Sequence, residues 1–267
     1  MYGNPDEGVP GCIANGIDEK TANKIYDEMI DFAKYAFNKS HAAAYAVVSY
    51  QTAWLKYYYP VEFMAALMTS VIDNPGKVSE YIYSCRQMGI KILPPDINKG
   101  EGSFSVDSGN IRYGLAAIKS IGKPVIESII KERKNGGPFS NLKDFIERLS
   151  GKEVNKRTIE SFIKSGAFDS LGGTRKQFMV VYVQILDQVN RERKYSMTGQ
   201  LSLFDIVSDD QKSEFDIPLP DVGEYEKETK LAFEKEVLGV YLSGHPLEDY
   251  RRKMEKKYIQ DKRWISS

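Results

Sequence analysis

The feature that most constrains this chain is a succession of helical periods, each ended by a helix-breaking residue. Asp18 can cap a first helix that extends to about residue 37, and Ser40 can cap a second. Pro60, the Asp73-Asn74-Pro75 run and Gly89 mark the ends of the next helices. The sequence therefore predicts a mainly α-helical chain.

Strand signals are few and short. Lys91–Leu93 favours a strand, and two more, Phe104–Val106 and Ile111–Tyr113, are joined by the turn sequence Asp107-Ser108-Gly109-Asn110. Helical segments separated by glycine-bearing corners follow from 115 to 195, a Ser-, Asp- and Pro-rich stretch predicts a linker over 196–222, and a last helix is expected over 224–238. The first dozen residues are expected to form a loop. The expected fold class is mainly α with small β elements.

Composition excludes several classes of protein. The chain has 267 residues, of which 42% are hydrophobic and 28% are charged, as in ordinary globular domains. The longest apolar run, 42–48, is too short to span a membrane, so we expect no membrane partner. The wide separation of Cys12 and Cys85 fits a reducing cytoplasm, which is the expected location. Two distant cysteines and two histidines show no zinc spacing, and no carboxylate set suited to magnesium is evident. We therefore expect no catalytic residue, metal site or cofactor in this chain.

The zero net charge conceals two opposite blocks. Residues 112–194 contain 17 Lys and Arg against 9 acidic residues, an excess of eight positive charges. Residues 205–239 contain 11 acidic residues against 4 lysines, an excess of seven negative charges. This pattern indicates a segment that binds a polyanion, although solvated helix faces would give the same counts.

Two glycine-bearing corners in the basic block resemble the helix-hairpin-helix arrangement. In the first, Ile118–Ile126, Gly122 is expected to permit a tight turn and Pro124 to lie in the first turn of the next helix. A looser copy covers 159–168 and 172–176. Backbone N–H groups and lysines at such corners contact DNA phosphates without reading sequence. The candidate DNA-binding residues are Lys119, Ile121, Gly122, Lys123, Gly166, Arg175 and Lys176.

The start of the second helix could hold a nucleotide. Lys39 and Ser40 lie where free N–H groups favour an anion, and His41 and Tyr45 share one helix face. Cations could contact the phosphates while the aromatic ring stacks on the sugar or base. Spacing alone favours the alternative, a capped amphipathic helix with Tyr45 in the core.

One short apolar peptide stands in the predicted linker. Its residues, Gln200, Leu201, Ser202, Leu203 and Phe204, have no helix or strand period to join. Exposed apolar residues in a polar stretch often form a docking peptide. Local packing onto the neighbouring helix is the alternative.

Several of these segments together resemble the C-family replicative DNA polymerases, the alpha subunits of bacterial DNA polymerase III. The similarity is carried by Phe37–Lys56, Tyr59–Ala66, Lys91–Asn98, Tyr113–Lys119, Ser165–Asp169 and Leu238–Pro246. These runs occur in the family's order and cover nearly the whole chain.

The resemblance implies a role for each candidate site. Residues 1–110 would be the C-terminal part of the fingers, which meets the incoming deoxynucleoside triphosphate, and 111–195 a tandem helix-hairpin-helix module on duplex DNA. The linker, 196–223, would carry the peptide that binds the sliding clamp, and 224–267 would precede an oligonucleotide-binding domain. The family's catalytic aspartates and magnesium belong to a palm that this chain does not match, so we expect no polymerase activity from it alone. A stand-alone module for duplex DNA and clamp, or a helix-hairpin-helix nuclease, remain alternatives.

Overall fold

A computed structural model describes residues 2–34, 39–149, 151, 154–197, 217–248 and 250. Contacts divide the chain into two compact units, Met1–Tyr58 and Tyr59–Ser267. The expected boundary near residue 110 falls inside a β-hairpin of the second unit. The correspondence with family domains stays a prediction.

The first unit combines a small β-ribbon with two helices. Strands β1 (Gly3–Asn4) and β2 (Val9–Pro10) pair antiparallel around a short 3-10 helix, where a loop was expected. Helix α1 spans Glu19–Lys34 and α2 spans Lys39–Tyr58. The Asp18 carboxylate accepts a hydrogen bond from the Thr21 N–H at 2.9 Å, which confirms the predicted cap of α1. Helix α2 starts one residue before Ser40, so Ser40 lies within its first turn.

The second unit opens with two helices and a three-stranded sheet. Helices α3 (Pro60–Ser70) and α4 (Pro75–Gln87) end close to the predicted breakers. Strand β3 (Ile92–Leu93) pairs parallel with β5 (Asn110–Arg112), which pairs antiparallel with β4 (Ser105–Asp107). Ser108 and Gly109, at φ 53° and 75°, form the two-residue turn between β4 and β5.

The remaining elements in the described part of the second unit are helical. A 3-10 turn at Leu115–Ala117 precedes them. They are α5 (Lys123–Gly136), α6 (Leu142–Leu149), α7 (Lys156–Ser165), α8 (Arg175–Met197) and α9 (Lys227–Leu238). The predicted fold class, mainly α with small β elements, is confirmed.

One hydrophobic core joins these elements. Phe145 packs edge-to-face against Phe139, Phe162 and Phe168, with ring centroids 4.9 to 6.0 Å apart. The buried Tyr113 hydroxyl donates to the Leu238 carbonyl at 3.1 Å, which ties the sheet to the end of α9. Burial raises the pKa of this phenol, so it stays protonated as the donor. Helix α9 is thereby fixed beside the hairpin that starts α5.

Candidate nucleic-acid interface

The first predicted hairpin lies between the 3-10 turn and α5. Ile118 is buried, and the Ile121 N–H bonds to the Ile118 carbonyl at 3.4 Å, which closes a turn. The left-handed residue of this turn is Ser120, at φ 68°. The Gly122 backbone is extended, at φ −78° and ψ 151°, and caps the N-terminus of α5. The expectation that Gly122 permits the tight turn is therefore wrong, because any residue adopts its conformation.

Gly122 is nevertheless open to solvent. A Cβ atom added there would meet only the Pro124 ring, at 3.6 Å, which is ordinary contact. The first N–H groups of α5 have no partner within the helix, and the helix dipole favours an anion beside them. The backbone does not require glycine at position 122. The missing side chain leaves space for a ligand to approach the N-terminus of α5 closely.

The two hairpin lysines have different surroundings. Lys119 is held against α9: its N–H donates to the Val237 carbonyl at 2.8 Å and its Nζ donates to the Glu236 carbonyl at 3.0 Å. Lys123, the first residue of α5, is exposed and makes no ion pair with any described residue. Ile121 is half-buried against the core. Both lysines keep a positive charge that no carboxylate neutralises among the described residues.

The second predicted hairpin does not offer the same surface. Arg175 is only 4% exposed, and its guanidinium donates to the Asp169 and Glu234 carboxylates and to the Lys164 carbonyl. Burial alone would lower the Arg175 pKa, but hydrogen bonding and the negative charges of both carboxylates outweigh it and raise the pKa. Arg175 is therefore a buried structural cation, and its placement argues against the expected contact with DNA.

Gly166 has a structural reason to be glycine. It ends α7 in the left-handed region, at φ 82°, and is buried. A Cβ atom there would overlap the Arg175 guanidinium and come within 2.8 Å of the Asp169 carboxylate. The Ser165–Asp169 motif thus builds the turn that encloses Arg175, and the burial of Gly166 argues against its predicted contact with DNA.

The N-terminus of α8 is already occupied by the chain itself. The Glu224 carboxylate accepts hydrogen bonds from the N–H groups of Arg175 and Lys176, at 3.4 and 3.3 Å. The Thr174 hydroxyl donates to the Gly223 carbonyl at 2.6 Å. This carboxylate takes the position that a phosphate would need, so only the half-buried side chain of Lys176 remains from the second hairpin as a candidate.

Much of the counted basic excess also belongs to the scaffold. Arg112 bonds to Asp107, Arg133 bonds to Glu101 and two carbonyls, and Arg148 pairs with Glu132 and Asp144. Each of these guanidinium groups is mostly buried. Charge counting could not separate such arginines from surface lysines, because a count shows neither which side chains are buried nor which cation pairs with which carboxylate.

The predicted nucleotide residues lie together at the start of α2. Lys39 begins the helix, and Ser40 and His41 follow in its first turn. The His41 and Tyr45 rings are in contact, with centroids 4.3 Å apart, and Tyr45 is 61% exposed. The alternative that buries Tyr45 in a core does not match this exposure. Both rings are accessible to a ligand.

The remaining predicted features are quickly placed. The peptide Gln200–Phe204 lies outside the described residues. No group of three or more His, Cys, Asp or Glu that could hold a metal occurs in the described part of the chain. No helix among those same residues is long and apolar enough to cross a membrane.

Sequence reasoning assigned no role to three residues of this region, two that organise it and one exposed cation. The buried Glu234 carboxylate binds Arg175 and accepts the N–H groups of Leu242 and Ser243, at 2.9 and 3.0 Å. Glu224 caps α8, and Arg157 on α7 is an exposed cation without a partner among the described residues. An acidic residue directly after Gly223 is a local sequence signal from which Glu224 could have been found. Glu234 has no such signal, because its sequence context is that of any glutamate in a helix.

Comparison with known proteins agrees with this geometry. Residues 89–178 match the family model of the helix-hairpin-helix motif. The DNA polymerase III alpha subunit of Vibrio cholerae is 43% identical over 247 residues, which are 92% of this chain and 21% of the relative. That of Escherichia coli K12 has the same identity and shares, and that of Mycobacterium tuberculosis is 42% identical over 89% of this chain and 20% of the relative.

Residues 89–178 of the second unit thus carry a helix-hairpin-helix motif. About 90% of the chain is homologous, at 42–43% identity, to one segment of the bacterial DNA polymerase III alpha subunits, as the sequence motifs indicated. The chain spans about a fifth of the length of the curated relatives that it matches.

Proposed function

We propose that this chain is the DNA-holding segment of a replicative DNA-directed DNA polymerase. The proposal rests on the helix-hairpin-helix match over residues 89–178 and on the exposed start of α5 within these residues. A duplex phosphate would accept hydrogen bonds from the first N–H groups of α5, with Lys119 and Lys123 supplying charge. Such contacts hold a duplex of any sequence, as a replicative polymerase needs.

The other assignments belong to the same proposal. Lys39, Ser40, His41 and Tyr45 would contact the incoming deoxynucleoside triphosphate, since exposed rings and a helix start suit a base and phosphates. Gln200, Leu201, Ser202, Leu203 and Phe204 would bind the sliding clamp. The chain would act in the cytoplasm as part of a longer protein. Its residues supply positioning, while magnesium and the catalytic aspartates would belong to the palm that the family resemblance implies.

A duplex-binding titration tests the proposal. Lys123→Gln removes one exposed charge, and Gly122→Ala adds a methyl group at a position where the backbone and Pro124 tolerate it. We expect the association constant to fall about fivefold at 0.15 M salt for Lys123→Gln, with the slope of log K against log salt reduced by about 0.9.

The glycine variant separates a phosphate contact from a folding effect. Gly122→Ala is expected to keep the circular dichroism spectrum and melting temperature of the wild type while weakening duplex binding. Gly109→Ala is the control. Gly109 lies in the β4–β5 turn at φ 75°, so the substitution strains the backbone at a position outside the Ile118–Ile126 corner. Salt-independent binding, or duplex affinity unchanged in both hairpin variants, would contradict the proposed function.

A further inference from the structure

A charged cavity opens beside the hairpin, between the turn at Ser120, α7 and α9. Its volume is about 450 Å³. Lys119 and Ser120 border it from the turn, Arg157 and Ser161 from α7. Neither Gly122 nor Lys123 lines it, so the cavity is distinct from the N-terminus of α5.

The charges in the cavity do not cancel. Lys164 is compensated by two carboxylates, because its Nζ lies 2.8 Å from both Glu160 and Glu236. Lys119 donates instead to a neutral carbonyl, and Arg157 has no ion pair or hydrogen bond among the described residues. Three cations and two carboxylates leave one net positive charge, located on the side of Lys119 and Arg157.

The cavity also holds a polar group that lacks a partner. Ser161 is 7% exposed, and its hydroxyl makes no hydrogen bond with any described residue. A buried hydroxyl without a partner destabilises the fold, and a serine inside a helix ordinarily bonds to a carbonyl of the preceding turn. A donor at this depth, beside two cations that no carboxylate neutralises, suits an anion that enters from outside.

We propose that this cavity binds one backbone phosphate of duplex DNA, in addition to the phosphate at α5. Arg157 and Lys119 would supply charge, and the Ser161 hydroxyl would donate a hydrogen bond to a phosphate oxygen. Lys119 borders both the hairpin and the cavity, so the proposed second phosphate contact would adjoin the first. This inference rests on the proposed function and adds a second contact to it.

Two variants of the full chain test the cavity. Arg157→Gln is expected to lower the duplex association constant about fivefold at 0.15 M salt and to reduce the salt slope by about 0.9, as one lost phosphate contact requires. Ser161→Ala is expected to lower affinity two- to threefold, with the slope unchanged and the melting temperature equal to or above that of the wild type. A purely structural serine would instead lower the melting temperature on substitution and leave the affinity as it was.

Lys99→Gln is the matched control, since Lys99 is exposed and outside the cavity. If Arg157→Gln equals Lys99→Gln in both affinity and slope, the inference is overturned. If Lys123→Gln weakens binding while Arg157→Gln and Ser161→Ala do not, the inference fails and the proposed function stands. If the wild-type chain binds no duplex in a salt-dependent manner, both fail.

Discussion

Substitution of Gly166 would destabilise the fold in two ways: through the strain of a left-handed backbone and through disturbance of the buried ion cluster around Arg175. Gly166→Ala places a methyl group at φ 82°, which costs about 1 kcal/mol for any residue with a Cβ. The same methyl group overlaps the Arg175 guanidinium and comes within 2.8 Å of Asp169 Oδ2. Displacing a buried guanidinium from its carboxylates costs about 3–5 kcal/mol. The free energy of unfolding is therefore expected to fall by about 4–6 kcal/mol if Arg175 moves, and by about 2–3 kcal/mol if the turn between α7 and α8 relaxes around Arg175.

Gly172→Ala is the matched control for this effect. Gly172 has nearly the same φ angle, 81°, but a Cβ atom added there would meet nothing within 4 Å. Urea unfolding followed by circular dichroism measures the loss of unfolding free energy for each variant. Hydrogen exchange of peptides that cover α7 and α8 measures the same loss locally. Gly172→Ala should lose about 1 kcal/mol, and Gly166→Ala should lose at least about 1 kcal/mol more. Equal losses would refute the role assigned to the Arg175 cluster.

Two further predictions concern titration. Cys85 is fully buried, and burial raises the pKa of its thiol to about 11, so iodoacetamide at pH 8 should label Cys12 in the native chain and leave Cys85 unmodified; equal labelling would contradict the buried placement. Hydrogen bonds from Arg112 and Ser108 lower the pKa of Asp107, so its stabilisation is present above the ordinary aspartate pKa of about 4 and is lost as pH falls through the lowered folded value. Melting temperatures from pH 6 to pH 2 should therefore fall less steeply for Asp107→Asn than for the wild type, and parallel curves would argue against the Arg112–Asp107 pair.

The helices could be predicted from the sequence because their signals are local. Asn74 caps α4 by accepting the Lys77 N–H at 3.1 Å, and the prolines at 60 and 75 begin the helices that follow them. The β4–β5 hairpin was equally local, since Gly109 supplies one of its two positive φ angles. The hydrogen-bond partners of these capping and turn residues lie only a few positions away in the sequence, so the local sequence pattern is enough to predict them.

The candidate site was predicted less completely because its contacts are distant in sequence. Arg175 pairs with Glu234, 59 residues later, and Lys119 bonds to the carbonyl of Glu236. Neither pairing leaves a mark on the local pattern. Glycine content likewise predicted the wrong residue for the tight turn, since the left-handed position fell to Ser120.

These distant contacts change what the basic block means for binding. A charge excess attracts a polyanion only through cations that solvent reaches, because a guanidinium held by buried carboxylates contributes no counterion release. Arg175 illustrates this limit: it is 4% exposed, and its charge stabilises the junction of α7, α8 and α9. The same junction holds α9 against Lys119 and so fixes the hairpin lysine in place. The buried arginines of the block thus build the frame, and exposed cations such as Lys123 on α5 and Arg157 on α7 form the surface that a phosphate backbone can reach.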